Sequence, residues 1–358
     1  MLDSLLIKNY RILKEFKVNA LAQINLITGK NNTGKSTILE AISLYTCKGD
    51  LSCILQLLKD NGEYFGEQQE LNIRLLSSVF TDRIISFDPQ SAIVTGNIDN
   101  TQYIRLKFVK YVDELQKNGQ EHIVGKKILP DNSETDDYKT GFTVKINNSS
   151  SQLFLEEKFS LMFGYRNLFI PDKFQYIRAG NTVTDTGKMF DNIILTDKEK
   201  YVIEALRIIE PRTERIAFVM DEYSRKRNAV VKLSNAAGTQ SLKSMGDGIN
   251  HVLTIILALV NAENGFLLID EFENGLHYSV QKQLWKMIFK LSQMLNIQVF
   301  VTTHSNDCIS GFENVLNSSE NTVKGKLIRL ENINGHIKHV EYLSDELKIA
   351  NEQKIETR

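Results

Sequence analysis

Gly29-Lys-Asn-Asn-Thr-Gly-Lys-Ser36 sets two glycines, a lysine and a hydroxyl at a spacing suited to gripping a phosphate. The glycines let the backbone curl until successive N–H groups face an anion, Lys35 adds a mobile positive charge, and Ser36 offers a hydroxyl ligand for Mg2+. Gly29, Asn31, Asn32, Thr33, Gly34, Lys35, Ser36 and Thr37 are the candidate phosphate-binding residues. A second cluster ends the apolar run Gly265-Phe-Leu-Leu-Ile-Asp-Glu271. There Asp270 can hold Mg2+, directly or through water, and Glu271 can polarise an attacking water. A third, Lys243-Ser-Met-Gly-Asp-Gly248, puts Ser244, Gly246, Asp247 and Gly248 before an apolar helix and offers a second anion site at its N-terminus.

Chemistry of this kind needs its groups brought together by regular elements. Ile24 to Thr28 reads as a buried strand that ends in the glycine loop, and Ile38, Leu39, Ile42 and Tyr45 recur at helical spacing after it. The order is strand, loop, helix, and the helix start adds its own preference for anions. Asp270 and Glu271 close another buried strand, and in an open parallel sheet the carboxyl ends of strands form the ligand crevice. Ile249 to Ala262 reads as a buried helix, and Ile297 to Thr302 as a further buried strand leading to His304. Near the N-terminus, Leu5 to Val18 suggests two strands with a turn near Ile12 to Lys14.

Between these segments the pattern changes. Helical stretches near 54–58 and 71–80 give way to short strand-like runs at 103–109, 141–146 and 153–155, broken by Asn, Asp, Gly and Ser. Leu195 to Ile209 reads as an amphipathic helix stopped by Pro211. The expected organisation is residues 1–48 as the first part of a head, 49–172 as a β-rich inserted arm, 173–240 as a lid and 241–358 as the rest of the head. The fold class is α/β, with a mixed, largely parallel sheet and a helical lid.

The chain has 358 residues, 42% hydrophobic and 24% charged, an ordinary globular composition. Its 43 basic and 44 acidic residues give a formal charge of -1, which neither demands nor excludes a nucleic-acid partner. Three cysteines, Cys47, Cys53 and Cys308, are too few and too irregular for a disulfide framework or a zinc site, which points to a reducing compartment. The N-terminus lacks the marks of a secretory signal. The apolar run 249–260 is much shorter than the roughly 20 residues that span a bilayer. The expectation is a cytoplasmic protein with no membrane partner.

The array as a whole resembles the ABC-type ATPases. Ser244 and Gly246 match the serine and second glycine of their signature loop, while Met245 and Asp247 depart from the transporter form in a way familiar in the RecF, SMC and OLD-like groups. Lys8-Asn-Tyr-Arg11, Asn25 to Thr37 and Ile269 to Ser279 resemble the stand-alone OLD/RecF-like members, strongly over about residues 1–45 and 240–310. The resemblance implies that ATP and Mg2+ are bound and that the signature loop of one copy closes on the γ-phosphate held by another. It also implies that Phe272 to His277 is the D-loop and that His304 is the switch histidine that contacts the γ-phosphate.

Other positions stay open at this level. Gln175 is the nearest candidate for the family's Mg-sensing glutamine, although it sits in an alternating strand. Arg11 stands equally as a nucleotide contact and as a solvated strand arginine. His251 reads as a packing residue, His277 as a support for the D-loop, and the basic spots 225–227 and 126–127 as solvated faces.

The expected function is an ATP-hydrolysing switch that dimerises around ATP and controls a partner effector in bacterial antiphage defence. OLD members often carry a Toprim nuclease. The stretch after His304 is short for one and lacks an acidic cluster, so such an effector would be separately encoded. The alternative is a RecF/SMC-like DNA-binding repair or maintenance ATPase.

Overall fold

The computed structural model describes residues 1–63, 70–117, 121–133, 135–147, 149–153, 158–160, 170–180, 185–220, 227–353 and 356–358. A six-stranded sheet carries the chemistry. Phe174–Ile177, Phe266–Ile269, Gln298–Thr302, Ile24–Gly29 and Gly325–Ile333 lie side by side in that order, all parallel, and His336–Tyr342 closes the edge antiparallel. Side chains alternate along each strand, so the sheet divides the core in two. Leu26, Leu267, Ile269, Val299 and Val301 face helices Asp247–Asn261, Tyr278–Met294 and Asn306–Leu316. Ile27, Phe266, Leu268, Phe300 and Ile328 face helix Lys35–Thr46 and a second sheet.

That second sheet is antiparallel and begins with the N-terminal hairpin Leu5–Tyr10 and Leu13–Val18. Leu6 pairs with Gly96, and the sheet continues through Ile93–Gly96, Tyr103–Lys117, Lys139–Ile146 and Ser149–Leu153, with Glu121–Ile128 pairing alongside Tyr103–Lys117. The strands of segment 49–172 therefore share hydrogen bonds with the first residues of the chain. Ile104, Leu106, Phe108 and Phe142 bury their faces in the same cluster as Leu39 and Ile42 of the phosphate-loop helix.

Three local readings differ from the sequence expectation. The helix expected over 195–209 covers only Glu199–Leu206. Leu195 takes φ +63°, which a right-handed helix cannot contain, and the far end tightens into i→i−3 bonds at Ile208 and Ile209 before Pro211. The helix expected near 71–80 is one short turn, Ile73–Ser77, after strand Glu70–Asn72, which pairs with Lys158–Ser160. The lid segment holds, besides helices Thr186–Asp191 and Glu199–Leu206, an antiparallel sheet of Thr213–Met220, Arg227–Leu233 and Thr239–Ser241. The run expected at 153–155 lies mostly outside the described residues.

The cysteines need one correction. The phosphate-loop helix ends at Thr46 and the chain turns back through Gly49 into Leu51–Asp60. This return brings Cys53 to Cys47 as a disulfide with Cα atoms 6.5 Å apart, while Cys308 is buried and unbridged. Among the described residues no helix is long and apolar enough to cross a membrane.

Under the parallel sheet, Trp285 is fully buried. It stacks on Phe272, with centroids 4.6 Å apart, and meets Phe312 edge-on at 5.1 Å. Phe272 immediately follows Asp270 and Glu271, so this stack seats the carboxylate turn. Trp285→Ala is expected to cost about 3–5 kcal/mol of folding stability. Urea unfolding followed by far-UV circular dichroism measures it, and a loss below about 1 kcal/mol would remove the stack from the structural account.

Candidate functional site

The site forms where three neighbouring parallel strands end together. Pairing of Val301 with Leu26 and with Ile269 sets the register, so Gly29, Asp270 and Thr302 to His304 emerge on one edge. The phosphate loop departs from the first. Gly34 takes φ +88° to turn the chain into helix Lys35–Thr46, a conformation open chiefly to glycine. Thr33 is buried and its hydroxyl donates to the Lys30 carbonyl at 2.8 Å. Asn31 and Asn32 form the exposed rim, Asn32 with φ +60°. The Lys35 ammonium turns back onto the loop, donating to the carbonyls of Gly29 at 2.7 Å and Lys30 at 2.9 Å. Burial lowers its pKa, against the pull of Asp270, Glu271 and Glu273. A phosphate in this loop would offer the ammonium a charged acceptor, a stronger partner than neutral carbonyls.

Ser36 donates its hydroxyl to Asp270 Oδ1 at 3.1 Å. Asp270 is buried, and burial raises its pKa, opposed by hydrogen bonds from Thr302 and Ser36. A hydroxyl and a carboxylate oxygen this close form the kind of sparse oxygen set that holds Mg2+ beside a polyphosphate. Glu271, next in sequence, has φ +52°, an uncommon conformation for a residue with a Cβ. Asn274 fixes its carboxylate by donating to Oε2 at 2.8 Å.

Two contacts at this edge involve residues the sequence reading did not single out. Thr302 Oγ1 donates to Asp270 Oδ1 at 2.5 Å and accepts the Glu271 backbone N–H at 2.9 Å. Glu273 reaches across to Thr303 and His304, whose half-exposed ring stands at the end of its strand as expected. Neither residue type carries a recognisable spacing signal, since both contacts join parts of the chain about thirty residues apart.

Gln175, the nearest candidate for a Mg-sensing glutamine, lines none of the cavities beside the phosphate loop. Alternation along Phe174–Ile177 puts Gln175 on the opposite face from Tyr176. Tyr176 and Arg178, with Ala179 and Gly180, line a cavity of about 290 Å3 that Ser36, Glu40, Asp60, Asn61 and Asp270 complete. Arg178 pairs with Asp60 at 2.9 Å and lies over the Tyr176 ring at 4.3 Å. Arg11 is not freely solvated. It lines a cavity of about 620 Å3 beside Ser36 and Thr37, with its guanidinium paired to Glu40 at 2.9 Å and Glu63 at 3.1 Å.

His251 and His277 take structural posts. His251 meets the Phe272 carbonyl at 3.2 Å, and burial lowers its pKa. His277 caps helix Tyr278–Met294 by accepting from the Ser279 N–H at 3.4 Å. Of the basic spot at 225–227, only Arg227 lies within the described residues, paired with Asp191. The Lys126 ammonium lies 5.2 Å from the centre of the Tyr111 ring.

The signature-like loop occupies a different part of the head. Gly246 caps helix Asp247–Asn261, and the Ser244 hydroxyl donates to the Ser241 carbonyl at 2.7 Å. Gly248 passes so close to the Gly275 carbonyl that a Cβ would sit 2.8 Å from its oxygen. Gly275 in turn packs on Asp247. The cavities bordering the phosphate loop are lined by other residues. Asp247 and Gly248 thus meet Gly275 of their own chain, while Ser244 bonds Ser241 and Gly246 stands open at the helix start.

Thr302→Val keeps the shape but leaves Asp270 and the Glu271 N–H without their shared hydroxyl. We expect Mg2+-dependent ATPase turnover to fall about 10- to 100-fold, with nucleotide affinity within about threefold of wild type. Steady-state kinetics and a nucleotide titration measure both. Wild-type turnover would mean that the hydroxyl does not organise the carboxylates.

The comparisons with known proteins agree with this architecture. A protein of Helicobacter pylori named ATP/GTP phosphatase is 25% identical over 365 residues, covering 92% of each chain. An Smc head solved with the C-winged helix domain of ScpA superposes with a TM-score of 0.51 at 13% identity, over 96% of this chain and 98% of that one. The Pyrococcus furiosus Smc head with an extended coiled coil, solved with the C-terminal domain of ScpA, gives 0.51 at 11% identity over 99% of both. In fold, the chain is an ABC-type head of the SMC kind. A family model described as AAA ATPase domain matches residues 1–205 and 179–309, well over half of the chain, which therefore belongs to that family of ATPases.

Proposed function

We propose that this ATPase is a molecular switch in which two copies close around ATP, hydrolysis reopens them, and a partner effector reads the change. The observation that carries it is that Ser244, Gly246, Asp247 and Gly248, at the start of helix Asp247–Asn261, line none of the three cavities described beside the phosphate loop of their own chain. A second copy, facing the first, would bring Ser244 and Gly246 to the γ-phosphate.

Within each site the loop N–H groups and Lys35 hold the β- and γ-phosphates, and Thr37 lines the 620 Å3 cavity that can take the nucleoside. Mg2+ held by Ser36 and Asp270 would neutralise phosphate charge. Glu271, braced by Asn274, orients and deprotonates the water whose oxygen bonds to the γ-phosphorus as the bond to the β-phosphate oxygen breaks. His304 meets the γ-phosphate from the neighbouring strand end. The Helicobacter relative's name supports nucleotide hydrolysis as the reaction.

The effector, a separately encoded protein of the Toprim-nuclease type, and the setting in cytoplasmic antiphage defence rest on the sequence resemblance to the OLD-like group. A DNA-binding maintenance ATPase is the second reading, favoured by the Smc-head superposition over nearly the whole chain, which speaks to fold.

Two variants test the core of this. Lys35→Ala is expected to weaken ATP binding by at least about 100-fold, since a charge-assisted contact to phosphate is lost. Unchanged affinity in a titration would refute the phosphate-loop role. Glu271→Gln is expected to bind ATP, lose about 100-fold or more in turnover, and double its mass in light scattering when Mg-ATP is added. A variant that stays monomeric with ATP bound would end the two-copy reading. One that gains affinity for bare DNA on adding ATP, and retains no co-expressed protein, would favour the maintenance reading.

A further inference from the structure

Glu273 has no assigned part in the reaction, yet one carboxylate gathers three donors from the strand end that carries His304. Its Oε1 accepts the His304 backbone N–H at 2.9 Å and lies 3.0 Å from His304 Nδ1. Its Oε2 accepts the Thr303 hydroxyl at 2.7 Å. The Thr303 oxygen then accepts the Ser305 N–H at 3.0 Å, so the whole turn from Thr303 to Ser305 hangs on this side chain. The Glu273 side chain is only 12% exposed, whereas that of His304 is 50% exposed. The anchor is sheltered and the ring it holds is presented outward.

The geometry decides which ring atom does what. A carboxylate oxygen draws a ring N–H, and Nδ1 is the ring nitrogen that stands 3.0 Å from Glu273. Nε2 is then the ring nitrogen left to face the substrate. Because the backbone N–H of the same residue ends on the same oxygen, ring and main chain are fixed together. A swing of the ring would break the 3.0 Å approach of Nδ1 to Glu273, while the backbone bond would stay.

We propose that Glu273 is the positioning residue for His304, holding it by Nδ1 and by its backbone so that Nε2 meets the transferred phosphoryl group. This rests on the reading of His304 as the γ-phosphate contact. Glu273 touches no substrate in this scheme. It lies on the same turn as Asp270 and Glu271, so the histidine is tied to the segment that bears the carboxylates, and both move as one unit.

The test is steady-state ATP hydrolysis by the full chain, with thermal melts to confirm folding. Glu273→Ala is expected to lower kcat on the order of 100-fold with KM nearly unchanged, the size of loss that misplacing a catalytic group causes. Glu273→Gln keeps an acceptor oxygen for both His304 donors and an amide for Thr303, and should stay within about threefold of wild type. Glu273→Asp keeps the charge but is one methylene short, and should fall with the alanine variant; it serves in its place if Glu273→Ala does not fold. In a His304→Ala background, Glu273→Ala should cost nothing further.

Glu273→Ala with wild-type kcat would overturn the proposal, as would Gln falling as far as Ala, or an undiminished loss in the His304→Ala background. If His304→Ala alone hydrolyses ATP at the wild-type rate, the reading of His304 fails first and takes this one with it.

Discussion

One hydroxyl joins the ends of two strands at the centre of this head. Thr302 Oγ1 has a single proton to give and gives it to Asp270 Oδ1, while its lone pair takes the Glu271 N–H. The first bond turns the buried carboxylate toward Ser36 and offsets part of the penalty of burying it. The second anchors the main chain at the residue with φ +52°, a conformation that costs of order 1–3 kcal/mol and survives only where its surroundings over-determine it. Phe272 completes the restraint, its N–H bonded to the Thr302 carbonyl at 3.1 Å and its ring stacked on Trp285. The two carboxylates thus stand at neighbouring positions with different surroundings, Asp270 enclosed by hydroxyls and Glu271 braced at the surface by an amide.

That arrangement depends on register. Every strand from Phe174 to Ile328 in the parallel sheet is aligned so that its carboxyl end reaches the same edge, and both faces of the sheet are buried. A shift of one residue would exchange the two faces and lift Asp270 away from Ser36. The apolar alternation of Phe266 to Ile269 and of Val299 to Val301 is therefore as much a part of the site as the polar residues beyond it.

Local patterns made the phosphate loop legible, because strand, loop and helix follow one another within residues 24–46 and each demands particular residue types. The same holds for the carboxylates ending Phe266–Ile269, for helix Asp247–Asn261 and for the strand leading to His304. What the sequence hid is pairing at a distance. Thr302 and Glu273 are unremarkable until two strand ends meet, and Arg178 looks like any strand-end arginine until Asp60 and Tyr176 flank it. Gln175 stayed open between a Mg-sensing and a plain surface role because a side chain's face depends on strand phase, which a short run such as Phe174–Ile177 leaves undetermined. The division of the chain near residue 48 followed a change in composition, whereas Leu6 pairs with Gly96.

The contact between Gly248 and Gly275 bears on how closure and chemistry could be linked in the proposed dimer. A movement of Gly248 toward Gly275 would press on Phe272 to His277, the D-loop of the resemblance, because there is no room for even a Cβ between them. That D-loop begins at the turn held by Thr302 and carries Asn274, which braces Glu271, and Glu273, which holds His304. A contact this close passes on a displacement directed along it. A push from Gly248 onto Gly275 would therefore bear on the stretch that braces both Glu271 and His304, which in the proposed dimer links the loop facing the other copy to the groups at a chain's own phosphate loop.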